Sequence, residues 1–80
     1  MGSCGNMGNG RSQIIYSTNG NKVPIKENEH YDFTIYGSTI YKLKNSKILK
    51  FIHRGKEVII VLQGKYGKII DVNKNKVLIT

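Results

Sequence analysis

From Gln13 onward, turn signals interrupt this chain every six to ten residues, leaving segments shorter than an ordinary helix. Between them the side chains mostly alternate apolar with polar, the period of a half-buried strand. Gln13–Ser17 and Lys22–Ile25 flank Asn19-Gly20-Asn21, and an Asn-Gly pair between β-prone runs is a strong hairpin signal. Pro24 lacks an N–H and marks an edge strand. Lys26–Glu29 is a polar loop. Tyr31, Phe33 and Ile35 alternate with Asp32, Thr34 and Tyr36. After Gly37-Ser38, Tyr41 and Leu43 oppose Ile40, Lys42 and Lys44 across a second strand, with a turn expected at Asn45-Ser46.

Lys47–Arg54 is ambiguous, because Ile48, Leu49, Phe51 and Ile52 also fit one face of a helix. Strand is the better reading, since β-prone segments and short turns flank it. Val58–Leu62 is an unbroken apolar run and reads as a central strand. Gly64–Gly67 is a tight loop. Lys68–Val72 and Lys76–Thr80 read as a last hairpin around Asn73-Lys74-Asn75. The chain has no Ala and no Trp beside twelve Ile, five Val and five Tyr, which disfavours helix and favours pleated sheet.

The expected architecture is therefore an all-β antiparallel meander. So small a sheet with one apolar face must close on itself, as an SH3-like barrel or a small sandwich. At 80 residues the chain is one domain at most, occupying residues 13–80. Residues 1–12 are Gly-rich and nearly devoid of apolar side chains, so a flexible N-terminal arm is expected there. Cys4 is the only cysteine, so no disulfide forms within the chain, and a reducing, cytoplasmic setting is expected. There is no apolar run of the ~18 residues a membrane span needs. No signal peptide is expected, since no basic segment precedes an apolar one at the start.

The segment Glu57 to Ile79 resembles a KOW motif. It runs Val58-Ile59-Ile60-Val61-Leu62, then Gly64-Lys65-Tyr66-Gly67-Lys68-Ile69, Ile70-Asp71-Val72, the polar Asn73-Lys74-Asn75, and Lys76-Val77-Leu78-Ile79. The longer Gly/Pro-containing loop that follows the first strand in that family is missing here. KOW modules are SH3-like barrels of ribosomal proteins and transcription elongation factors. The resemblance implies loop contacts to RNA, the ribosome or RNA polymerase.

Charge supplies an independent clue. Residues 1–40 hold three basic and three acidic side chains, whereas residues 41–80 hold ten basic and two acidic ones, the whole net charge of +8. A one-sign field on so small a domain attracts polyanions. Lys42 and Lys44 share a strand face, Lys65 and Lys68 flank the Gly64–Gly67 loop, and Lys74 and Lys76 cap the last hairpin. Together they form a candidate stripe for a phosphate backbone. Tyr66, inside the basic loop, is placed to stack on a base. Lysines on strand faces also block edge pairing, the structural alternative. Tyr31, Tyr36 and Tyr41 cluster near one turn and are candidates for a homo-oligomer interface.

Nothing in the chain points to catalysis: no Ser-His-Asp order, paired carboxylates or phosphate loop is present. Cys4, His30 and His53 match no zinc spacing, so neither metal nor cofactor is expected. Gly2-Ser3-Cys4 is followed by Asn6 where lipidation of Gly2 requires Ser or Thr, so no membrane partner is expected. The expected function is non-catalytic binding of RNA or DNA, or of a nucleoprotein machine. The alternative is a small structural or inhibitory protein of a phage or other mobile element. Such a protein, in the host cytoplasm, oligomerises or plugs an acidic groove on a partner. The Ile/Lys/Asn bias of AT-rich coding suits that origin.

Overall fold

The computed structural model describes residues 11–80. The expectations for Cys4 and for the first ten residues of the arm lie outside them, and Ser12 already belongs to a strand. β1 (Ser12–Tyr16) and β2 (Lys22–Lys26) form a separate two-stranded antiparallel sheet. Gly20 sits in the turn between them at φ 91°, which favours glycine. Pro24 opposes Ile14 in this pair, where its missing N–H costs nothing.

The remaining strands are β3 (His30–Tyr36), β4 (Ile40–Arg54), β5 (Glu57–Gln63), β6 (Ile69–Asn73) and β7 (Val77–Ile79). They form one sheet in the order β6-β5-β4-β3-β7, every pairing antiparallel. The fold is thus all-β, and no helix among the described residues is long and apolar enough to cross a membrane.

Two sequence expectations need correction. Asn45-Ser46 does not turn the chain, because β4 continues unbroken through it for 15 residues. The register shifts by one between Tyr31↔Ser46 and Phe33↔Leu43, so the extra residue is absorbed as a β-bulge. Asn45 takes φ 53°, which asparagine tolerates better than most residues, and its N–H donates to Asp32 Oδ1 at 2.9 Å. A second bulge lies between Ile48↔Leu62 and Lys50↔Val61. Valine at position 45 is strained in this backbone. Asn45→Val is expected to lower stability by about 1–2 kcal/mol, while Asn45→Gly leaves the urea midpoint nearly unchanged.

The second correction concerns the C-terminus. Val77–Ile79 does not return beside β6 but crosses to the far edge of the sheet, pairing Phe33↔Ile79 and Ile35↔Val77 with β3. The reversal is a single 3-10 turn, Lys74–Lys76, held by Asn73 Oδ1, which accepts from the Asn75 N–H at 2.9 Å. At this far edge β7 also meets the hairpin, through the Ser17↔Ile79 bridge. The crossover buries Val77 beside Ile35 and Phe33.

The inner face of the five-stranded sheet supplies Phe33, Ile35, Ile48, Phe51, Ile60, Leu62 and Val72, and the hairpin closes over it with Ile15 and Ile25. Backbone bonds tie the hairpin down at both ends. The Asn28 N–H donates to the Ile48 carbonyl at 2.7 Å, and the Thr18 N–H to the Ile79 carbonyl at 2.8 Å.

Tyr31 belongs to this framework. Its ring meets Phe33 edge-on, with centroids 5.9 Å apart. Its hydroxyl accepts from the Lys26 N–H at 3.1 Å and donates to Glu29 Oε1 at 3.0 Å. Burial chiefly pushes its pKa above the ordinary phenol value, and the Glu29 carboxylate adds to this, against the Lys26 hydrogen bond. The folded pKa thus exceeds the unfolded one. The stabilisation is complete below the unfolded phenol value of 10.0 and is lost as pH rises through the folded pKa. Thermal melts between pH 9 and 11 should therefore fall less steeply for Tyr31→Phe than for the parent chain.

Candidate nucleic-acid interface

In a regular strand, lysines at 42, 44, 47 and 50 could not share a face, because successive side chains alternate. The two bulges of β4 remove this obstacle. Cross-strand neighbours lie on the same face. Lys42 opposes Thr34, Lys47 opposes both His30 and Gln63, Lys50 opposes Val61, and Arg54 opposes Glu57. All these partners belong to the outer face, because β3 and β5 turn Phe33, Ile35, Ile60 and Leu62 inward. Lys44, outward like Lys42, stands at the first bulge opposite Asp32. The outer face of β4 therefore carries Lys42, Lys44, Lys47, Lys50 and Arg54 in line. At ~3.3 Å per residue the row runs roughly 35–40 Å before allowance for bending.

Beside Lys47 the surface is concave. His30, Lys47 and Gln63 occupy one row across β3, β4 and β5. With Asn45, Lys65 and the Gly64–Gly67 loop they line a polar hollow of about 370 Å³. No acidic side chain lines it, so it is set up for an anion. The loop is built by backbone bonds, from the Gly64 N–H to the Lys68 carbonyl at 2.8 Å and from the Gly67 N–H to the Gly64 carbonyl at 2.9 Å. Gly67 takes φ 87° and completes the reversal. At the loop tip Tyr66 is 90% exposed. Its only described attachment is Lys65 Nζ, 5.5 Å from the ring centroid.

The lysines singled out from sequence divide between two places. Lys42, Lys44, Lys65 and Lys68 belong to the β4 face or the adjoining loop. Lys74 and Lys76 lie on the 3-10 turn at the other end of β6. Lys74 Nζ donates to Gln13 Oε1 at 3.3 Å and so faces the hairpin instead. His30, Lys47, Lys50 and Arg54 were not singled out from sequence. Period-two counting assigns Lys47 to the opposite face from Lys44, and only the bulge reverses that. The one available signal was Asn45, a residue suited to positive φ.

The three tyrosines proposed for an interface do not form one patch. Tyr31 is half-buried in the framework, Tyr36 faces outward opposite Ile40, and Tyr41 opposes the inward Ile35. Among the described residues no three His, Cys, Asp or Glu side chains gather as a metal-binding group.

These features define a small basic all-β domain with one cationic face. Comparison of the chain with protein-family models, curated proteins and solved structures finds no match in any of the three.

Proposed function

We propose that the protein is a non-catalytic binding module for single-stranded nucleic acid, bound along the outer face of β4 and the β5–β6 loop. The alignment of Lys42, Lys44, Lys47, Lys50 and Arg54 by two bulges carries this reading. A row of cations suits a phosphate backbone, and an exposed ring beside it suits an unpaired base. Duplex stacks would hide their base faces from Tyr66. RNA within a nucleoprotein machine is the natural context if the KOW resemblance of residues 57–79 holds. That segment spans β5, the Gly64–Gly67 loop, β6, the 3-10 turn and β7, the last of which pairs with β3.

We further read the sheet as the wall of an SH3-like barrel. β4 serves β3 with its first half and β5 with its second. Long strands that turn a corner by bulging are how small sheets curl.

Fluorescence anisotropy with labelled single strands across a salt series tests the binding. Five contacts predict that log K falls by about 3–4 per decade of salt. Lys47→Ala should lower that slope by about 0.7–1, whereas Lys76→Ala should leave it unchanged. Equal effects of the two substitutions would refute a defined face. Absence of binding at low salt would refute the function and favour a phage or mobile-element protein that docks on an acidic protein surface.

A further inference from the structure

A second concavity, of about 570 Å³, lies between β1 and β7 and shares no lining residue with the hollow beside Lys47. These strands meet in one parallel bridge, Ser17↔Ile79, and then part. The gap exposes backbone groups whose direction is fixed by their neighbours. The Ser17 N–H donates to the Asn21 carbonyl, and the Glu27 N–H to the Arg11 carbonyl. Odd-numbered residues of β1 therefore turn their peptide groups toward β2, and even-numbered ones turn theirs away. Pro24, without an N–H, stands opposite Ile14 in agreement with this. The Thr18 N–H shows where the outward set points, since it reaches the Ile79 carbonyl across the gap. One step back, the Ile14 N–H and C=O and the Tyr16 N–H face open space. From β7 the Val77 carbonyl faces them, while the Val77 N–H closes back on the Lys74 carbonyl.

The side chains around this open edge are mostly apolar. Ile14 and Tyr16 are 55% and 52% exposed, and Val77 and Leu78 form the opposite wall. The two charged lining residues, Lys22 and Lys74, are both cationic. Lys74 is held in place by Gln13.

We propose that this groove captures an extended, acidic segment of a partner protein by strand addition to β1. The segment pairs its backbone with Ile14 and Tyr16, seats apolar side chains between Tyr16 and Leu78, and places carboxylates near Lys22 and Lys74. Main-chain bonds supply affinity and the alternating pockets supply selectivity, as in other sheet-edge complexes. A sugar-phosphate backbone lacks the alternating N–H donors and C=O acceptors that a strand edge pairs with. The site is independent of the lysine row on β4.

The test uses the full chain, ¹⁵N-labelled, with the peptide Ac-Val-Glu-Ile-Glu-Val-Glu-amide and its counterpart in which lysine replaces each glutamate. The acidic peptide should shift the amide resonances of Ile14, Tyr16 and Val77 and leave those of Lys42 and Lys47 in place. Ile14→Pro removes the outward N–H without touching a bond to β2, and should abolish binding. Lys22→Glu combined with Lys74→Glu should weaken it at least tenfold, and this pair keeps the test intact if the proline variant does not fold. Equal binding of the lysine peptide would overturn the proposal, as would shifts confined to the β4 face. Concentration-dependent shifts at Ile14 and Tyr16 without peptide would overturn it in favour of a second copy of the chain.

Discussion

Phe33→Ala should cost about 3–5 kcal/mol of folding stability, the usual range for truncating a fully buried ring. Phe33 is completely buried and belongs to the core cluster that joins the five-stranded sheet and the hairpin. Its edge-on contact with Tyr31 is lost in the same stroke. Stability of ~0.05–0.15 kcal/mol per residue gives a chain of this length roughly 4–12 kcal/mol in total. The substitution thus removes a large share and leaves part of the population unfolded near body temperature. Urea unfolding followed by circular dichroism measures it, with the midpoint falling and the slope unchanged. A loss below about 1 kcal/mol would show that Phe33 does not stand at the centre of the core.

Tyr66→Ala should weaken single-strand binding by about 1–3 kcal/mol, roughly 5- to 150-fold, if the ring stacks on a base. The ring projects into solvent and contributes almost nothing to the core, so the urea midpoint should hardly move. The salt dependence should also stay the same, because no phosphate contact is removed. Tyr66→Phe should keep most of the affinity, since stacking uses the ring and not the hydroxyl. The combination separates stacking from charge: Lys47→Ala changes the salt slope, and Tyr66→Ala changes the intercept. A Tyr66→Ala chain that binds as tightly as the parent would leave the β4 face as a purely electrostatic surface. Duplex binding tighter than single-strand binding would argue against stacking in the same way.

Local patterns were legible in the sequence wherever one strand faced one core. Alternation in Tyr31–Tyr36, the Asn19-Gly20 reversal, the edge role of Pro24 and the apolar run Val58–Leu62 all depend on neighbours a few residues away, and each appears in the structure as read. Lys47–Arg54 carried spacings that suit either helix or strand, and pairing with β5 decided for strand. The candidate interface was less legible. Lys65, Tyr66 and Lys68 stand out because a glycine at each end of Gly64–Gly67 forces a tight loop. Lys47 does not, because its face depends on a residue that the partner strand leaves unpaired. Lys50 keeps the face that simple alternation gives it, because the second bulge cancels the first.

The sequence by itself determined that the chain is β, that its basic charge falls in the second half, and that Tyr66 sits in a basic turn. These follow from side-chain period, turn chemistry and counting, which are local. Only the tertiary structure decided that β4 runs through Asn45-Ser46, that β7 pairs with β3, and that Lys74 joins the hairpin side and not the lysine row. Each depends on pairing between distant segments. A one-residue bulge reverses which face a strand presents, and no local pattern reports where the partner strand will accept one.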